Sequence, residues 1–182
     1  MRVGIVGLGY RLGYLARVFS AASADFSVAA YVDPAPAGLP YATEHGVSVG
    51  RQYDTLEAML DSEQLDLLMV GSPNHLHLDH IRTGLERGLR IFTEKPVVTT
   101  REETMELAGL IARHGSDNVM VGLVLRYAPL YVDLRKAQAD GLLGDITSIE
   151  ASEHIPPYHG AFFMRDWRRY ERYSGSFMLE KC

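Results

Sequence analysis

The strongest constraint on this chain lies in its first thirteen residues, MRVGIVGLGYRLG. An apolar run, Arg2–Val6, stops at Gly7 and Gly9. Leu12, Leu15, Ala16 and Phe19 then recur at i, i+3, i+4 and i+7. That pattern is a buried strand turning through glycines into an amphipathic helix. The first glycine permits the tight turn, and the second lets backbone approach a pyrophosphate at the helix N-terminus. Leu12 occupies the usual third-glycine position and Gly13 comes one residue later, so the helix is expected to pack slightly farther from its strand.

The same alternation continues. Strands are expected at Ser27–Val32, weakly at 47–49, at Leu67–Val70, at Arg90–Thr93 and at 119–125. Between them fall helices over 55–61, with Asp54 as cap, and over 76–87. A third follows Thr100 and Glu103, which have the spacing of a capping box, and buries Thr104, Leu107, Ala108 and Ile111. Continuous apolar strands alternating with helices imply an α/β, doubly wound parallel Rossmann sheet covered on both faces. It is complete by about residue 124. A helix over 128–140 and a half-exposed strand over 146–154 then open a different, α+β second domain. The domains are therefore 1-124 and 125-182.

Composition narrows the function. The net charge is −5, and no basic face suggests nucleic acid; the Arg–aromatic run RDWRRYERY is diluted by Asp166 and Glu171. The only cysteine is Cys182, which fits a reducing cytoplasm. The start lacks the apolar core and cleavage site of a signal peptide, and no apolar stretch is long enough to span a bilayer. Metal binding by His75, His77, Asp79 and His80 is disfavoured, because no second cluster completes four ligands.

Cofactor chemistry is the better reading. Asp33 ends the second strand about twenty residues after the glycines, where a carboxylate binds ribose hydroxyls and repels a 2′-phosphate. No Lys or Arg lies between it and Arg51, which favours NAD over NADP. The alternative is a structural glycine turn with Asp33 as an ordinary turn acid. Arg11 is placed to add a cation near the phosphates, and the fourth-strand loop puts Pro73 and Asn74 toward the nicotinamide half. In RIFTEKPVVTT, Lys95 is one of three lysines among 18 basic residues, and a buried lysine can lose its proton where an arginine cannot.

SPNHLH and FTEKPVVTT resemble the Pro-Asn-x-x-His loop and the Glu-Lys-Pro strand end of the glucose–fructose oxidoreductase / inositol dehydrogenase (Gfo/Idh/MocA) family. LRYAPLYVDLRKAQADGLLGDI and DWRRYERYSGSFMLEKC resemble its later segments. The resemblance implies an NAD(H)-dependent oxidoreductase of a sugar, polyol or related hydroxy compound. Lys95 would orient the substrate hydroxyl and assist its proton, and Glu94 would fix the loop. Lys95–Pro96 becomes a candidate cis peptide bond. Implied cofactor contacts are Gly7, Gly9, Tyr10, Arg11, Leu12, Asp33, Ser72, Pro73, Asn74, His77, Glu94 and Lys95. Substrate-side candidates are Lys95, Arg126, Tyr127, Trp167 and Arg168. Ser176 stands where Gly is frequent, and Glu180 near where many relatives have Asp. The family's Gly-x-His-x-x-Asp segment would begin just after Cys182. The resemblance therefore implies a truncated chain, with the fragment 1-182 inactive alone and homo-oligomer formation through an exposed edge. An NAD-dependent glycosidase and a non-catalytic NAD-sensing regulatory protein are the competing readings.

Overall fold

Six strands form in the expected alternation in the computed structural model, which describes residues 1–181. They are β1 (Arg2–Val6), β2 (Ser27–Val32), β3 (Arg51–Tyr53), β4 (Leu67–Val70), β5 (Arg90–Thr93) and β6 (Val119–Val121). All neighbours pair in parallel, in the order β3-β2-β1-β4-β5-β6. The order reverses between β1 and β4, which is where a crevice opens beyond the strand ends in doubly wound sheets. The linking helices are α1 (Tyr10–Ala22), α2 (Leu39–Glu44), α3 (Leu56–Ser62), α4 (His77–Glu86) and α5 (Arg101–His114). The only cysteine, Cys182, lies outside the described residues.

The two-residue period of the strands divides the core. Val3, Ile5 and Met69 join Leu12, Leu15 and Ala16 of α1 on one face. Val6, Leu68 and Val70 join Met59 of α3, Ile81 of α4 and Leu110 of α5 on the other. Fully burying a side chain of this kind stabilises by about 1.5–3 kcal/mol, so the two layers hold the strand ends in register.

Several boundaries differ from the sequence expectation. Residues 47–49 form no strand: the chain turns at Gly50, φ 68°, and the polar residues Arg51 and Gln52 begin the edge pairing with β2. Hydrophobicity misplaced this strand because an edge strand is held by its ladder rather than by burial. Thr55, not Asp54, caps α3, accepting the Ala58 N–H at 3.1 Å. The Thr100–Glu103 capping box forms as expected. α5 buries Leu107 and Leu110, however, while Thr104 and Ala108 stay exposed.

The strand expected over 119–125 stops at Val121 and gives way to a 3-10 turn, Val124–Tyr127. α6 (Pro129–Ala139) follows with no buried residue. Residues 146–154 form no strand and no helix among the described residues, which corrects the strand expected there. Alternation marks a strand only where a neighbour takes up its backbone groups. Glu153 in this segment pairs with Lys181 at 2.6 Å. α7 (Pro157–Phe163), α8 (Glu171–Ser174) and α9 (Phe177–Lys181) then fold back toward the sheet.

Two non-glycine residues here take the left-handed region, Asp166 at φ 47° and Ser176 at φ 83°. Asp tolerates it, whereas Ser has no comparable preference. Relief of this penalty outweighs the entropy lost with glycine, so Ser176→Gly is expected to stabilise the chain by about 0.5–1 kcal/mol. A urea midpoint that is unchanged or lower would contradict this.

Candidate active site

The candidate residues converge because parallel strands end on one edge. The ladder runs past the strands: Gly7 N–H bonds Val32 O at 2.8 Å and Gly71 N–H bonds Val6 O at 2.9 Å. Glu94 N–H bonds Val70 O at 2.9 Å, and Gly122 N–H bonds Thr93 O at 2.8 Å. Four loops are thereby clamped side by side around a cavity of about 250 Å³.

Gly7 and Gly9 have different reasons for being glycine. Gly7 has φ 85°, and a Cβ there would overlap the backbone of Gly71 and Ser72. Gly9 has ordinary backbone angles, φ −75° and ψ 176°, and a Cβ would meet no protein atom within 4 Å. Nothing inside the fold requires Gly9 to be bare, so the space in front of it suits a ligand. α1 begins there with no side-chain cap, leaving first-turn N–H groups for an anion.

Tyr10 is exposed at 69%, while the Leu12 side chain is buried in the core, so Leu12 can face a ligand only through its backbone. The displaced third glycine has its own use. A Cβ on Gly13 would come 2.7 Å from Gly38 O, so this glycine lets α1 approach the loop before α2. Asp33 ends β2; one carboxylate oxygen accepts the Ala35 N–H at 2.7 Å and its carbonyl accepts Gln52 Nε2 at 2.9 Å. The second carboxylate oxygen has no protein partner among the described residues. These features fit a dinucleotide.

The loop after β4 is tied down by histidines. His77 is 1% exposed; Nδ1 lies 2.8 Å from Pro96 O and Nε2 lies 2.9 Å from Ser72 O. It therefore joins the β4 loop to the β5 loop. A neutral imidazole donates to only one carbonyl, but loss of hydration on burial outweighs the attraction of both and lowers its pKa. His80 Nδ1 lies 2.9 Å from Ser72 Oγ, and burial lowers its pKa as well. Pro73 starts the short 3-10 turn that aims Asn74 inward. His75 instead packs against Tyr173, ring centroids 4.6 Å apart. The histidines diverge, and no metal-holding group of three or more such side chains occurs among the described residues.

At the β5 end, Glu94 Oε1 accepts Arg11 Nε at 3.2 Å, closing the crevice between α1 and β5. The Arg11 charge is thus partly answered by protein. The Lys95–Pro96 peptide bond is cis. Lys95 keeps solvent access along its length, but its amine donates to Glu180 O; loss of hydration lowers its pKa, opposed chiefly by the Glu180 charge. Glu180 is 6% exposed, and its Oε2 accepts Asn74 Nδ2 at 2.8 Å. The same amide reaches Ser174 O at 3.0 Å.

The far wall of the cavity is Phe162, Trp167 and Arg168. Trp167 and Arg168 thus join the cofactor-side residues, whereas Arg126 and Tyr127 lie exposed on the 3-10 turn and do not line the cavity. The model of the Gfo/Idh/MocA family, described as an oxidoreductase family with an NAD-binding Rossmann fold, matches residues 1–123. The chain belongs to the Gfo/Idh/MocA oxidoreductase family.

Among its relatives, the rhizopine catabolism protein MocA of Rhizobium meliloti is 30% identical over 145 residues, covering 80% of this chain and 44% of that one. An inositol 2-dehydrogenase of Rhizobium meliloti is 28% identical over 157 residues, covering 86% and 46%. A scyllo-inositol dehydrogenase of Lactobacillus casei, solved with bound NAD(H) and scyllo-inositol, superimposes with TM-score 0.67 at 28% identity, covering 81% and 43%. The chain therefore spans less than half the length of these relatives. No helix among the described residues is long and apolar enough to cross a membrane.

Sequence reasoning left Gly71, Gly122, Val124, Phe162 and Glu180 out of the site. Glu180 alone carried a signal, its position near the family's frequent Asp. Phe162 carried none, since it is an aromatic among several in an irregular segment.

Two tests follow for this Gfo/Idh/MocA chain. Gly9→Ala is expected to leave the unfolding midpoint unchanged and to weaken NADH binding, whereas Gly7→Ala destabilises the fold; equal NADH affinity in Gly9→Ala would contradict the first. The lowered pKa values of His77 and His80 have a definite sign. Below the free histidine value of about 6.5 the unfolded chain takes up protons first, so their contribution is present above that pH and is lost as pH falls toward the folded values. Imidazole NMR titration should show both rings neutral where free histidine is half protonated; rings protonated at or above that pH would reverse the sign.

Proposed function

We propose that this chain binds NAD(H) along the β1–β4 edge and positions a sugar or polyol hydroxyl for hydride transfer, with Lys95 handling the hydroxyl proton. Residues 1-124 act as the dinucleotide-binding domain, and 125-182 open the substrate domain. The observation that carries the reading is the position of the Lys95 amine. It lines the same cavity as Arg11 and Glu94, at the start of α1 and the end of β5, and as the bonded Asn74–Glu180 pair.

Bound NAD(H) supplies the hydride acceptor or donor. The protein supplies position and proton handling. Loss of hydration favours the neutral amine, and Glu180 restores part of the charged form, so Lys95 can exchange a proton closer to working pH than a surface lysine can. A substrate hydroxyl entering the cavity would replace the Glu180 carbonyl as the partner of the amine. Asn74 and Glu180, already bonded to each other, present a fixed polar wall against which a polyol can align. The inositol dehydrogenases among the relatives make cyclic polyols the first substrates to try.

The test is made on the native protein as expressed from its own gene. NADH is expected to bind by fluorescence titration. Lys95→Met should keep that affinity and lower kcat on myo- or scyllo-inositol by about 10²–10⁴-fold. Lys95→Arg should behave like Lys95→Met, because a guanidinium does not give up its proton. Failure of NADH to bind, or wild-type turnover in Lys95→Met, would overturn the proposal.

A further inference from the structure

We infer that the cavity is built for a substrate carrying a carboxylate, and that Arg168 is the residue that receives it. This deepens the proposed function and rests on it. Every other arginine is either exposed or paired with a carboxylate. Arg2 pairs with Glu63 at 2.8 Å, Arg82 with Asp79 at 2.7 Å, and Arg87 with Asp61 at 2.7 Å. Arg11, on the cofactor side of the same cavity, pairs with Glu94.

Arg168 has no carboxylate within ion-pair distance among the described residues, and its Nε is sealed from solvent with no hydrogen-bond partner. It is nonetheless held in place. The guanidinium carbon lies 4.0 Å from the centre of the Phe162 ring and 4.3 Å from that of Trp167. The aromatic rings fix the orientation of the planar fork without using its N–H donors.

Glu180 and Asp166 are the acids whose charge reaches Arg168, and neither lies within ion-pair distance of it. The Glu180 carboxylate is engaged by Asn74, and the Lys95 amine bonds the Glu180 carbonyl instead. The substrate half of the cavity thus holds two cations, Lys95 and Arg168, and one buried carboxylate already in use. Arg168 lines the cavity, and its terminal nitrogens donate to no protein group among the described residues; such a fork complements a planar pair of oxygens, which a carboxylate supplies in one plane. The dinucleotide does not account for Arg168, since the glycine loop offers an anion the uncapped first-turn N–H groups of α1. The substrate class is therefore a hydroxy acid of the sugar type, with its hydroxyl at Lys95 and its carboxylate at Arg168.

The test compares D-gluconate with D-glucitol, which has the same carbon chain and an alcohol in place of the carboxylate. Both are titrated calorimetrically into the native protein saturated with NADH, which blocks oxidation. Gluconate is expected to bind about 10-fold or more tightly than glucitol, the range of a hydrogen bond to a charged group. Arg168→Leu should abolish that preference while retaining NADH affinity, and Arg168→Lys, which keeps charge without the fork, should retain only part of it. Equal binding of the two compounds by NADH-competent protein would overturn this inference and leave the NAD reading intact. Tighter binding of D-glucitol 6-phosphate than of gluconate would overturn the carboxylate assignment. A full preference in Arg168→Leu would overturn the role of Arg168. Failure to bind NADH would instead strike the proposed function on which the inference rests.

Discussion

The parallel pairing of β1 with β4 places Val6 beside Val70 and thereby sets Gly7 against the backbone of Gly71 and Ser72. The rest of the site depends on that contact. Residues paired between these strands are more than sixty positions apart in sequence, and the long crossover between them carries β2, β3 and three helices. Because each strand end donates its next N–H to the neighbouring strand, the loops continue the ladder instead of leaving it. A cradle built this way is as rigid as the sheet beneath it, which suits a site that must hold a large ligand in one pose.

On that frame the polar groups fall into two sets with different tasks. His77 and the Arg11–Glu94 pair tie loops to each other and face mainly protein. Lys95, Asn74 and Glu180 form a connected group whose members reach from the β5 end to the last described helix. The shape of the cavity thus joins two distant parts of the chain. Its floor comes from strand ends within residues 1–123, and its far wall comes from a segment beyond β6 that has few buried residues of its own. That segment is held by polar contacts and aromatic stacking more than by a core. Its own apolar residues, such as Leu130 and Leu134 on α6, remain exposed at 73% and 50%.

Legibility followed the source of each element's stability. β1, β2, β4 and β5 are buried on both faces, and their apolar runs gave their limits directly. β3 is polar and marginal, held by one neighbour, and hydrophobicity pointed four residues too early. Residues 146–154 alternate as a strand would, yet backbone pairing decides strands, and the pattern is silent about whether a partner is at hand. The stripe on α5 was read with Thr104 and Ala108 inward, but the facing strands reward Leu107 and Leu110, since only the larger side chains span the gap to the sheet. In the site, the glycines, Asp33 and the Glu-Lys-Pro turn were visible because each is a local backbone or charge requirement.

The sequence alone determined the class of fold, the glycine turn, the acid at the end of β2 and the Glu94-Lys95-Pro96 turn after β5. Each of these follows from periodicity or from the chemistry of residues adjacent in the chain. Only the tertiary structure decided that Leu12 belongs to the core, that Gly13 serves the Gly38 loop, and that Arg126 stays outside the cavity while Phe162 and Glu180 line it. It also decided that Arg168 is oriented by two aromatic rings and left without a carboxylate among the described residues. These outcomes depend on which side chains meet across long sequence separations, and such meetings are set by packing, which no local pattern records.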